Sequence, residues 1–188
     1  MKNKFRYLTV VAALLLNAIC TVLVFLLDIE TTSLKIFGSY MAILIVAVLG
    51  WKFPLKFHIK AFVFAFLAAS LGSCVNLYRH IGIYDLLVHY LSGILLAECG
   101  LIVFQYITAT RGIKNDFLIE TLFSFFFSSS CAGFWEIYEY TADCIIGAGM
   151  QGTKENTMGD IIAGVLGALT FVIFSFVLKN AKKLKKKT

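Results

Sequence analysis

The sequence has little of what a soluble domain needs, because charge is scarce and proline is almost absent. Of the 188 residues, 15% are charged and one is proline, whereas 60% are hydrophobic. Soluble domains average about 25% charged and about 45–50% apolar residues. This composition excludes a soluble globular enzyme and a disordered chain. The same composition excludes a disulfide scaffold. The five cysteines lie in apolar segments, are odd in number and form no C-x-x-C pair, so we interpret them as small apolar packing residues.

The sequence has instead six long apolar runs. They contain between 16 and 22 residues, and a helix that spans a bilayer needs about 20. The first run follows Lys2, Lys4 and Arg6 as in a signal peptide, but no A-x-A cleavage site comes after it, so we predict an uncleaved span. The six runs are Tyr7–Leu27, Ile36–Trp51, Ala61–Tyr78, Leu86–Ile107, Phe117–Trp135 and Ile161–Leu178. The sequence therefore predicts an all-α polytopic membrane protein, with a single six-helix transmembrane domain over residues 1–178 and a basic cytoplasmic tail over residues 179–188.

The distribution of basic residues predicts the orientation of these spans. With the N-terminus inside, the inner segments hold 14 of the 17 Lys and Arg residues, and the outer segments hold Lys35, Arg79 and Lys154. Cytoplasmic segments of membrane proteins carry an excess of Lys and Arg, so both termini are expected in the cytoplasm. Much of the net charge of +6 lies in the lysine-rich tail rather than on a folded face. Membrane lipids are therefore the expected partners, and nucleic acid is not.

Polar residues collect near the outer ends of the last three spans. Because residues four apart share a helix face, Asp85 lies on the same side as His89, and Asn156 on the same side as Asp160. The fifth span adds three carboxylates on one face, and each polar face continues into small residues, which let helices approach closely. Ionisable side chains at membrane depth are costly and usually functional. We therefore expect one outward-facing pocket lined by Asp85, His89, Glu136, Glu139, Asp143, Asn156 and Asp160.

These residues also have simpler explanations. Asp85 and Asp160 would act as helix caps, where a carboxylate meets unpaired N–H groups. His89 would be a packed histidine paired with Asp85. The carboxylates that follow Glu136 in the fifth span would be solvated just above the membrane. Glu136 itself is the hardest to explain without a function, because an apolar span precedes it.

The sequence resembles the YjdF family of bacterial inner-membrane proteins, and more remotely VanZ-like proteins, in three stretches: DLLVHYLSGILLA, GFWEIYEY and QGTKENTMGDIIAGVLGAL. The residues that the resemblance singles out are Asp85, His89, Glu136, Glu139 and Asp160. Gly159 departs from the family pattern, in which a larger, often aromatic residue is common. The resemblance implies a multi-pass protein of the bacterial cytoplasmic (inner) membrane. Because VanZ-like proteins are associated with glycopeptide resistance, it also implies cell-envelope lipids or wall precursors as partners.

Three functions are open at this point. The pocket would bind a cation, a basic solute or a lipid or cell-envelope head group, with transport as one use. Alternatively, the protein would be an envelope hydrolase in which a divalent cation (Mg²⁺, Mn²⁺ or Zn²⁺) activates water against a phosphate or ester. The third function is structural or protective, without a ligand. The metal ligands expected for the first two are His89, Glu136, Glu139 and Asp160.

Overall fold

The computed structural model describes residues 2–185. All regular structure in this range is helical, and six of its helices are long and apolar enough to cross a membrane. The all-α fold with six spans is thereby confirmed. The helices are α1 (Lys2–Leu26), α2 (Ser33–Leu49, followed by a 3-10 helix over Gly50–Lys52), α3 (Leu55–Ala65, continued by a π-helix over Phe66–Cys74), the short α4 (Leu77–His80), α5 (Tyr84–Thr110), α6 (Phe117–Ile146) and α7 (Lys154–Lys185).

The described chain separates into two compact units, and the boundary between Val88 and His89 falls inside α5. The first unit contains α1 to α4 and the first turn of α5. The second contains the rest of α5 together with α6 and α7. The expectation of a single domain over residues 1–178, followed by a basic tail, stays a prediction.

In the first unit, the turn between α2 and α3 is held by the start of α1. The Arg6 guanidinium donates hydrogen bonds to the carbonyl oxygens of Phe53, at 2.5 Å, and Gly50, at 3.4 Å. It also lies 5.9 Å from the centre of the Trp51 ring. His58 Nδ1 lies 3.1 Å from the same Gly50 oxygen. These contacts place the beginning of α1 beside the beginning of α3.

The third span ends in an unusual way. The nine residues Phe66–Cys74 form a π-helix, and Asn76 then adopts a left-handed conformation with φ of 64°, which asparagine tolerates better than most residues. The Asn76 side chain donates to the Glu30 carbonyl oxygen at 2.7 Å and accepts from Lys35 Nζ at 2.8 Å. The span therefore stops at Cys74, earlier than the predicted Tyr78.

In the second unit, α6 is longer than the apolar run from which it was predicted. Asp116 caps its start by accepting hydrogen bonds from the backbone N–H groups of Leu118 and Ile119. Its end is at Gly147, where φ is +61°, a conformation that favours glycine. The helix thus continues past the predicted Trp135. In the same way, α7 begins at Lys154 rather than at Ile161.

Glycines allow α5 and α7 to touch backbone to backbone. A Cβ added at Gly93 would overlap the carbonyl oxygen of Gly164, and one at Gly167 would overlap that of Tyr90. Ser128 of α6 donates a hydrogen bond to the Gly93 carbonyl oxygen at 2.8 Å. Small residues and hydrogen bonds of this kind hold helices together in a bilayer. They fix the rotation of the three helices of the second unit.

Candidate functional site

The candidate site begins in the first two turns of α5. Asp85 is half-buried in the first turn, and His89, one turn later, is 8% exposed. The helix is continuous from Tyr84 to Thr110, so a single element positions both side chains on one face. The first-turn position of Asp85 is also compatible with an interaction with the helix dipole.

Asp160 is the most buried of the predicted site residues, with 2% of its surface exposed. It is the seventh residue of α7, whereas the N–H groups that a cap would satisfy lie in the first turn. Capping therefore does not account for it. Gly164 follows Asp160 by one turn and contacts Gly93, which follows His89 by one turn. The glycine contact thus sets the separation of Asp160 from His89.

Glu136 faces the interior of the second unit from α6. It is 4% exposed, and Ala132 and Ser128, which precede it by one and two turns, are buried on the same stripe. Its Oε1 lies 3.9 Å from His89 Nδ1. A buried carboxylate at this distance can stabilise a protonated imidazole or orient a neutral one.

One group of side chains has the geometry needed for a metal ion. Asp85, His89 and Asp160 each offer a ligand atom, and these three atoms lie within 4.8 Å of one another. Atoms bound to one ion are about 3–4 Å apart, because each lies about 2.0–2.2 Å from the ion. A shift of about 1 Å would therefore close this group around a cation. Imidazole with carboxylate oxygens suits Zn²⁺ or Mn²⁺, and Mg²⁺ is bound mainly by oxygen.

The charge of the cluster favours a cation over an anion. Three carboxylates, those of Asp85, Glu136 and Asp160, surround the single imidazole of His89. Carboxylates this close cannot all stay ionised unless a proton, a basic side chain or a bound cation compensates them. Even a protonated His89 would leave an excess of negative charge. The site is therefore suited to a metal ion or a basic group.

Two other predicted residues, Glu139 and Asn156, lie one turn along their helices from Glu136 and Asp160. Glu139, one turn from Glu136, is half-buried and accepts a hydrogen bond from the Trp135 indole at 2.8 Å. Asn156 is half-buried in the first turn of α7. Asp85 joins His89 and Asp160 in the candidate ligand group, and the predicted ligand roles of Glu136 and Glu139 stay predictions. The pocket roles of Glu139 and Asn156 stay predictions.

Asp143 organises the loop that connects α6 to α7. Its two carboxylate oxygens accept hydrogen bonds from the backbone N–H groups of Met150 and Gln151, at 2.8 and 2.9 Å. Met150 and Gln151 follow the left-handed turn at Gly147, so the carboxylate folds the loop back onto the end of α6. Its predicted role in the pocket stays a prediction.

Sequence reasoning placed Ser128 on the polar face of the fifth span but did not predict the hydrogen bonds that hold this site together. Ser124 and Ser128, four residues apart in α6, donate to carbonyl oxygens of α5, and Tyr90 donates to Thr170 Oγ1 at 2.9 Å. The spacing of the two serines within an apolar run was the available signal. Nothing in the local sequence pairs Tyr90 with a residue 80 positions away.

A family model described as "Predicted membrane protein (DUF2238)" matches residues 5–181. No curated protein and no solved structure shows a significant match. The matched range includes nearly all of the six spanning helices and every residue of the candidate site. The chain therefore belongs to the DUF2238 family of membrane proteins.

Proposed function

We propose that this membrane protein binds a divalent cation through Asp85, His89 and Asp160. The observation that carries the proposal is the placement of their three ligand atoms within 4.8 Å, with His89 and Asp160 more than nine-tenths buried. Ionisable groups at membrane depth are rarely retained without such a role. The mixed nitrogen and oxygen ligands favour Mn²⁺ or Zn²⁺.

Glu136 supports the same proposal as the orienting partner of His89. Its carboxylate lies on the Nδ1 side of the imidazole. A proton on Nδ1 would then point towards Glu136, and the lone pair of Nε2 would be available to the cation. Metal-ligating histidines commonly have a carboxylate in this position, which fixes the tautomer and raises the basicity of the ligand.

We propose further that the protein lies in the bacterial cytoplasmic membrane with this site towards the outside, which the DUF2238 match and the positive-inside distribution of Lys and Arg support. A cation held there would be transported, or it would bind the head group of a cell-envelope lipid or precursor as a further ligand. A basic solute would instead compete with the cation for the carboxylates. In the hydrolase alternative, the ion itself would act as the Lewis acid. All of these uses depend first on cation binding.

The test is metal binding by the full-length protein purified in detergent. Mn²⁺ and Zn²⁺ are titrated by calorimetry, and bound metal is measured by elemental analysis after dialysis. We expect Asp160→Asn to abolish binding and Glu136→Gln to weaken it by about 10- to 100-fold, as for other partners of metal ligands. Glu120→Gln is the matched control, because Glu120 is also a buried carboxylate of α6 but pairs with Gln105 near the opposite end.

A thermal melt separates binding from folding. Metal at 100 times its Kd should stabilise the parent by about 2.7 kcal/mol, and this gain should disappear in Asp160→Asn. If the parent binds neither metal, the proposal is wrong. If Asp160→Asn and Glu136→Gln then only lower the melting temperature, the cluster is structural. Phosphate or ester turnover that requires added metal would favour the hydrolase.

A further inference from the structure

A second buried polar group lies in the first unit, independent of the cation site. Asn17 of α1 is fully buried, and its Nδ2 donates a hydrogen bond to Ser39 Oγ at 3.0 Å. The Ser39 hydroxyl group donates its proton to the Ile36 carbonyl oxygen at 2.7 Å. Ser39 Oγ can therefore only accept from Asn17, so the amide atom that faces it must be the donor Nδ2. The orientation of the amide is thereby fixed. Its Oδ1 is buried and has no hydrogen-bond partner among the described residues.

Ser70, in the π-helix, has a similar buried polar atom. Its side chain is fully buried, and its Oγ has no hydrogen-bond partner within residues 2–185. The carbonyl oxygen of Ser70 accepts from the Val75 N–H at 3.0 Å, the long-range bond of a π-helix. Short π-helical segments are frequent at functional sites. Buried hydroxyl groups in proteins are almost always hydrogen-bonded to protein or to ordered water.

The packing of the first unit brings these two atoms to one level. Arg6 contacts Phe53 near the start of α3, and Thr21 Oγ1 lies 3.9 Å from Cys74 Sγ at the end of the π-helix. The two helices therefore run in the same direction, side by side. Asn17 stands four residues before Thr21, and Ser70 stands four residues before Cys74. Both side chains are fully buried, and the π-helix packs against α1 and α2, so we infer that the two atoms face the same interior space.

We propose that a buried water molecule bridges Asn17 Oδ1 and Ser70 Oγ. Water donates to the amide oxygen and exchanges a hydrogen bond with the hydroxyl group, which satisfies both. A sodium ion is the competing guest, but the two atoms belong to neutral groups. A buried charge without a charged partner is far more costly than a buried water molecule. The site thus takes a small neutral hydrogen-bonding ligand.

A double-mutant cycle on the full-length protein tests the bridge. Asn17→Leu, Ser70→Ala and the double variant are melted in detergent. We expect each single variant to lower the melting temperature and the double variant to lower it by clearly less than the sum, because the first change already removes the bridging water. Loss of the Asn17 bond to Ser39 occurs in both arms of the cycle and cancels. The control combines Ser70→Ala with Ser175→Ala. The Ser175 hydroxyl group donates to the Phe171 carbonyl oxygen within α7, so the effects of these two substitutions on the melting temperature should be additive.

The outcomes are distinct. Additive effects of the two variants would overturn the proposal, because no shared guest would then connect them. Thermal melts in NaCl, KCl and choline chloride at equal ionic strength test for a bound sodium ion. A saturable stabilisation by Na⁺ that both single variants lose would show that the site holds an ion instead of water. If Asn17→Leu does not fold, Asn17→Ala takes its place in the same cycle.

Discussion

Replacement of Gly93 by alanine is the most direct test of how the second unit is assembled. The added Cβ would lie 2.9 Å from the Gly164 carbonyl carbon and 3.1 Å from the Ala168 nitrogen, and it would overlap the Gly164 oxygen. Carbon atoms in good contact are about 3.5–4.0 Å apart. The obstructing atoms are backbone, so no side-chain rotation can relieve the overlap, and α5 and α7 must move apart by about 1 Å.

The expected cost follows from this overlap. Overpacking of a well-packed interior costs about 1–3 kcal/mol, and in a chain of this length each kcal/mol lowers the melting temperature by about 2–4 °C. We therefore expect Gly93→Ala to melt several degrees below the parent in detergent. Since Gly93 lies one turn after His89 and contacts Gly164 one turn after Asp160, the variant should also bind the metal more weakly.

Gly133→Ala is the matched control for this prediction. Gly133 is also inside a long helix, α6, but an added Cβ there would meet no described heavy atom within 4 Å. Alanine is favoured over glycine in a helix by about 0.5–1 kcal/mol, so this variant should melt at the parent temperature or slightly above it. Equal melting temperatures for the two variants would refute the backbone contact between α5 and α7.

Two further predictions concern orientation and the first unit. Cys144 is exposed, and the other four cysteines are buried or half-buried, so a membrane-impermeant maleimide applied to intact cells should label the parent and not Cys144→Ser. No labelling of the parent in intact cells, with labelling after the cells are permeabilised, would contradict an outward-facing end of α6. Arg6→Met should destabilise the protein by about 1–3 kcal/mol in a detergent melt, because two hydrogen bonds from a charged donor to the turn at Gly50 and Phe53 are lost. Lys4→Met, an exposed neighbour, should have almost no effect, and equal losses would refute this role of Arg6.

The sequence alone determined the number of spans and their approximate positions. Each spanning helix overlaps an apolar run, because a bilayer leaves the backbone no other way to satisfy its hydrogen bonds. Helix periodicity also placed Asp85 with His89 on one face of α5. The ends of the elements were less predictable. Polar residues such as those between Trp135 and Gly147 are compatible with a helix or with a loop. The helix ends where a capping residue satisfies its last backbone groups, as at Gly147.

The tertiary structure decided which polar residues meet. Glu136 and Glu139 are three positions apart on α6, yet one lies beside the buried His89 and the other accepts from the exposed Trp135. Periodicity fixes the angle between them but not the rotation of α6 against its neighbours, which depends on contacts such as Ser128 with Gly93. The same holds for Asp160, which resembled a cap until α7 was found to begin at Lys154. The π-helix over Phe66–Cys74 was not predicted either, because the sequence shows only a continuous apolar run there.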